Sequence, residues 1–155
     1  MRKRSKYKPK PVITNPLVLL QPAKREQQQK LLMRALSALE SITQCREPSV
    51  EDWRDLSDIV NVVEVAADRG NLKHEEVMPS VNAAIEAMCE AHDRFNAGKP
   101  MRMSGAGINA LRALIQVYAE LLNGLTGFEM ELLLSQTRAL VRRLQTKGHG
   151  KVIVL

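Results

Sequence analysis

Apolar residues recur at intervals of three and four in five separate stretches of this chain, and prolines or glycines stand between the stretches. Such spacing places one apolar stripe along a helix, which no helix can bury alone. The expected fold is therefore all-α, a bundle of about five helices. Composition agrees. Aromatic residues are only 3% of the 155, so the core must be built from Leu, Val, Ile, Ala and Met. At this length and 45% hydrophobic content, one domain with a real core is the default.

The punctuation sets the boundaries. The first helix is expected from about Ala23 to Gln44, with Leu32, Leu36, Leu39 and Ile42 inward, and Pro48 ends it. Ser49 caps a second, with Glu51 and Asp52 facing the positive end of its dipole; Leu56, Ile59, Val60, Val63, Ala66 and Ala67 form its stripe, and Gly70 with Asn71 stops it. The third is clearest from Pro79 through Val81, Ala84, Ile85, Met88, His92 and Phe95, with Lys73 to Met78 adding a turn before a break at the proline. Ser104 caps the fourth, whose stripe is Ile108, Leu111, Leu114, Ile115, Tyr118 and Leu121. Thr126 and Glu129 have the spacing of a capping box for the fifth, with Leu133, Leu140, Val141 and Leu144 inward. The short link between the last two predicts an antiparallel hairpin. Residues 1–22, with four prolines, read as an extended arm that can dock through Leu17, Leu19 and Leu20. Residues 23–147 read as the bundle, and residues 148–155 as an apolar tail ending in "KVIVL" that docks or pairs with a partner.

Charge is unevenly placed. The net charge is +6, and residues 1–10, "MRKRSKYKPK", hold six basic residues and no acid, which leaves 17 basic and 17 acidic residues in the rest. Arg46 to Glu76 has nine acids against four basic residues, and Arg138 to Lys151 has five basic residues and no acid. An extended arm of ten residues reaches about 33 Å, far enough to follow a phosphate backbone. Lys3, Arg4, Lys6, Lys8 and Lys10 are the candidate phosphate contacts, with Arg2 and Tyr7 assisting, Tyr7 by stacking on a base. Arg138, Arg142, Arg143 and Lys147 form a second basic stretch, with the three arginines as candidate contacts, and positive charge there also complements the negative end of the fifth helix. The expected partner is nucleic acid or an acidic bacterial protein surface, with a homo-oligomer as a further arrangement. The alternative to nucleic-acid binding is an inhibitor or adaptor acting through a helical face.

Other constellations carry less. Helices four and five lack base-contacting residues where a DNA reader needs them, since the fifth opens "TGFEMELLL". "SGAG" at 104–107 reads as a cap rather than a phosphate loop, and "KGHGK" at 147–151 as a helix stop. Cys89 and His92, one turn apart, are half of a zinc site without the other half, and His92 reads as a core histidine. Glu86, Glu90 and Asp93 read as a solvated face. No nucleophile, base and orienting group occur together, so no enzyme, cofactor or metal is expected. The two cysteines, 44 residues apart, suggest a reduced compartment, and the four-residue run Leu17 to Leu20 is too short for a secretory core or membrane span.

The opening "MRKRSKYKPKPV", the segment "DLSDIVNVVEVAADRG" and the later "INALRALIQVYAELLNGLTGFEME" resemble a loose group of small basic-arm helical proteins encoded by proteobacterial phages, prophages and plasmids. The resemblance implies a bacterial host cytoplasm and a regulatory or accessory role. It identifies no site.

Overall fold

Local chemistry starts three of the described helices where a side chain can satisfy the free amides of the first turn. At Ser49 the Asp52 amide donates to the hydroxyl (3.1 Å) while the Asp52 carboxylate accepts from the Ser49 amide (2.9 Å). Thr126 and Glu129 repeat the exchange, with the Thr126 amide donating to the Glu129 carboxylate at 2.9 Å and the Glu129 amide to the Thr126 hydroxyl at 3.3 Å. Ser104 accepts from the Gly107 amide at 3.2 Å.

The structure, a computed structural model, describes residues 25–44 and 48–147. The expectations placed on residues 1–22, on Cys45 and on residues 148–155 lie outside the described residues. The fold is all-α, a five-helix bundle: α1 (Arg25–Gln44), α2 (Val50–Asp68), α3 (His74–Asn96), α4 (Gly105–Gly124) and α5 (Gly127–Lys147). No described helix is long and apolar enough to cross a membrane.

Helix α2 sits at the centre. Trp53, Leu56, Ile59, Val60, Val62, Val63, Val65, Ala66 and Ala67 are all buried, a set wider than a single stripe, and the polar side is left to residues such as Arg54, Ser57, Asn61 and Asp68. Such a helix needs several neighbours, and α1, α3, α4 and α5 all pack on it. Burying one of its larger side chains contributes roughly 1.5–3 kcal/mol. That offsets the weak helix preference of its valines. Its end is local: Gly70 adopts φ 78°, and the Asn71 amide returns to the Ala66 carbonyl at 2.9 Å.

The most extensive interface joins α3 to α4. Val77, Val81, Ala84, Met88 and Ala91 on α3 and Gly107, Leu111, Leu114, Tyr118 and Leu121 on α4 are buried at alternating steps of four and three. These are the seams of two helices packed side by side. Small residues let them close. A Cβ added at Gly107 would lie 2.4 Å from the Ala87 Cβ and 2.7 Å from Met103 Cγ.

Several expectations are corrected. α3 runs unbroken through Pro79. The proline lies in its second turn on an exposed face, where only the Glu75 carbonyl lacks an amide donor and water can reach that side. Phe95 is exposed and His92 only half-buried, its Nδ1 3.3 Å from the Asn96 side-chain amide, because Ala87 and Ala91 take the inner positions. Leu36 is likewise exposed, displaced by Ala35 and Ala38. The last two helices do not form the expected hairpin. α4 is already committed to α1, α2 and α3, so α5 takes the remaining side of α2.

The close approach at Gly107 predicts opposite effects for two neighbouring substitutions. Gly107→Ala should cost about 1–2 kcal/mol in denaturant unfolding, because overpacking against a side chain that cannot swing away outweighs the better helix propensity. Gly105→Ala, with nothing within 4 Å, should instead gain up to about 1 kcal/mol.

Candidate functional site

On α2, Asp55 and Asp58 stand one turn apart and define a polar strip. α1 and α5 flank that strip without an extensive interface of their own, and a cavity of about 140 Å³ opens between them. Its apolar lining is Leu31 and Ala35 of α1, Ile59 and Val62 of α2, and Leu134 of α5. Its polar lining is Arg34, Asp55, Asp58, Tyr118, Thr137 and Arg138. Four helices thus contribute, with Tyr118 of α4 beneath.

These charges are not equivalent. Arg34 grips Asp55 with two guanidinium nitrogens, Nη2 to Oδ1 and Nε to Oδ2, the second at 3.3 Å. The Asp55 hydrogen bond and charge hold Arg34 more firmly protonated. Because Arg34 is largely exposed, the pair is worth about 1 kcal/mol or less to stability, and its clearer effect is to fix α1 against α2. Ser41 adds a second tie, its hydroxyl donating to Asp52 at 2.7 Å. Burial works against the ionised form of Asp52, yet hydrogen bonds from Ser49 and Ser41 hold its pKa below the ordinary value.

Asp58 is in the opposite situation. Among the described residues it has no ion-pair partner within 4 Å. Partial burial of its carboxyl and the neighbouring Asp55 charge raise its pKa, against the pull of Arg34 and Arg138. Tyr118 is 4% exposed, and burial, with help from Asp58, pushes its phenol up to about 12, so the hydroxyl keeps its proton at neutral pH. Thr137 donates to the Leu133 carbonyl at 2.9 Å and is already satisfied. The arrangement can recognise charge and exchange hydrogen bonds.

Of the residues singled out from the sequence, Arg138 lines this cavity. Arg142 and Arg143 are exposed on α5 and do not line it. Arg2, Lys3, Arg4, Lys6, Tyr7, Lys8 and Lys10 lie outside the described residues. Sequence reasoning missed Arg34, Asp55, Asp58, Tyr118 and Thr137. Two acids one turn apart on α2 were the available signal, together with a tyrosine on the α4 stripe. Among the described residues, no three His, Cys, Asp or Glu side chains gather into a metal-holding group.

A raised folded-state pKa means that the Asp58 anion costs stability at neutral pH. The cost vanishes once the group is protonated in both folded and unfolded chains, below its ordinary value of 3.8. Asp58→Asn should therefore raise Tm at pH 7. The gain should shrink as pH falls and disappear below about pH 3.5, which thermal melts of both proteins across that range would show. Comparison of the chain with family models, with curated proteins and with solved structures finds no match.

Proposed function

We propose that this protein is a non-enzymatic regulatory or accessory module of a bacterial cytoplasm that binds nucleic acid through its leading basic segment. The supporting observation is the segregation of charge: residues 1–10 carry the whole surplus, and the remaining 145 residues are balanced at 17 basic and 17 acidic. Lys3, Arg4, Lys6, Lys8 and Lys10 neutralise phosphates, and Arg2 and Tyr7 assist. A balanced body adds no strong field of its own, so affinity resides in the segment and is largely independent of sequence. Arg138, Arg142 and Arg143, all exposed, can extend the contact along α5.

Neutralising five phosphates of duplex DNA gives a log–log salt slope of about −4 to −5. Deleting residues 2–10 should abolish binding and leave helicity and Tm unchanged, as measured by fluorescence anisotropy and circular dichroism. Binding that survives the deletion would remove the segment from the mechanism.

A second reading draws on a different surface. Phe128 and Leu132, four residues apart on α5, are 49% and 44% exposed. Large apolar side chains displayed together on one helix face suit a protein partner, as an inhibitor or adaptor would require. Purification from the host with and without nuclease separates the two. A partner protein retained after nuclease favours the second reading, and recovery of nucleic acid that nuclease removes favours the first.

A further inference from the structure

Helix α5 turns one apolar face to the core and a second away from it. Met130, Leu133 and Thr137 are buried, and on the opposite side of the helix Phe128, Leu132, Ser135 and Ala139 are all exposed. The outer four follow one another at steps of four, three and four. That is the seam spacing of a two-helix coiled coil, here with bulky residues at one end and small ones at the other.

Charge lies beside this seam in a self-complementary order. Both acids of α5, Glu129 and Glu131, stand before Leu132, and all four of its bases, Arg138, Arg142, Arg143 and Lys147, stand after Thr137. Glu129 is committed to the Thr126 cap. Glu131 and Arg138 lie on one flank of the seam, both exposed, two turns or about 10 Å apart along the axis, which is too far to meet within one helix. Neither has an ion pair within 4 Å among the described residues. The dipole of α5 accounts for acids first and bases last, but not for an exposed apolar seam between them.

We infer that α5 is the interface of a homodimer, packed antiparallel on α5 of a second copy of this chain. Turning the helix end for end lays Phe128 on Ala139 of the second copy and Leu132 on its Ser135, so each bulky side chain meets a small one. The same register sets Glu131 opposite Arg138 of the second copy, and the twofold axis repeats every contact. A parallel pair would bring the two acidic ends together and the two basic ends together. A host protein would have to supply the matching pattern independently, whereas a second copy already carries it. A single helix face buries little area, so the dimer is weak. It needs nothing from residues 1–10 and is independent of the nucleic-acid reading.

The test is sedimentation velocity on the full chain, freed of nucleic acid, from low micromolar to submillimolar concentration at pH 7. A monomer–dimer equilibrium is expected. Glu131→Arg and Arg138→Glu should each weaken it about tenfold or more, because each turns two symmetry-related attractions into repulsions. An equimolar mixture of the two variants should dimerise again, since each supplies the charge that the other lacks. Arg138→Glu also adds an acid to the cavity that holds Asp55 and Asp58, so its folding is checked by circular dichroism. Leu132→Ser avoids that difficulty, because Leu132 is exposed in the single chain. It should leave the circular dichroism unchanged and weaken the dimer about tenfold. A chain that stays monomeric throughout, a dimer indifferent to Leu132→Ser, or two folded charge variants that do not associate when mixed would overturn the proposal.

Discussion

A helix whose buried set is wider than one stripe cannot be covered by a single neighbour, and α2 imposes that constraint on everything else. With Trp53, Leu56, Ile59, Val60, Val62, Val63 and Val65 pointing in several directions, one neighbour could not cover it. Four helices do, and the positions of α1, α3, α4 and α5 follow from the sides of α2 that remain open. The tight α3–α4 seam through Ala87 and Gly107 supports this arrangement, because it brings α4 close enough to reach α2 and α1 as well.

The same constraint explains the cavity. Where α1 and α5 flank α2, it presents Asp55 and Asp58, and hydrophobic packing over that side would strand two carboxylates. α1 meets one of them with Arg34, and α5 brings Arg138 within electrostatic range of the other. The gap between these flanking helices is where polar groups collect. The cavity and the leading segment therefore treat charge in opposite ways: acids and guanidinium groups face each other across the cavity of a neutral body, and surplus cations are concentrated in residues 1–10.

Much of the fold was legible because its signals are local. Ser49 with Asp52, Ser104 with Gly107, and Thr126 with Glu129 act over three residues, so spacing alone reveals them. The apolar stripes of α2 and α4 were legible for a similar reason, since their buried sets repeat with the helix period. Leu36 and Phe95 were misplaced because each shares a flank of its stripe with alanines, and hydrophobicity ranks the larger side chain inward, whereas His92 was placed inward by its spacing alone. Where helices approach closely, size decides instead, and Ala35, Ala38, Ala87 and Ala91 take the inner positions.

By itself the sequence determined the five described helices, most of their boundaries, their capping residues and the placement of all surplus positive charge in residues 1–10. Each depends on residues a few positions apart or on composition. Tertiary structure alone decided that α5 packs on α2 rather than back along α4, and that Arg34, Asp58, Tyr118 and Arg138 share one cavity. Those four residues are spread over more than a hundred positions, and in sequence three of them look like ordinary solvated charges and the fourth like ordinary core. Only the competition among faces for the limited sides of α2 brings them together, and that competition is a property of the whole packed chain.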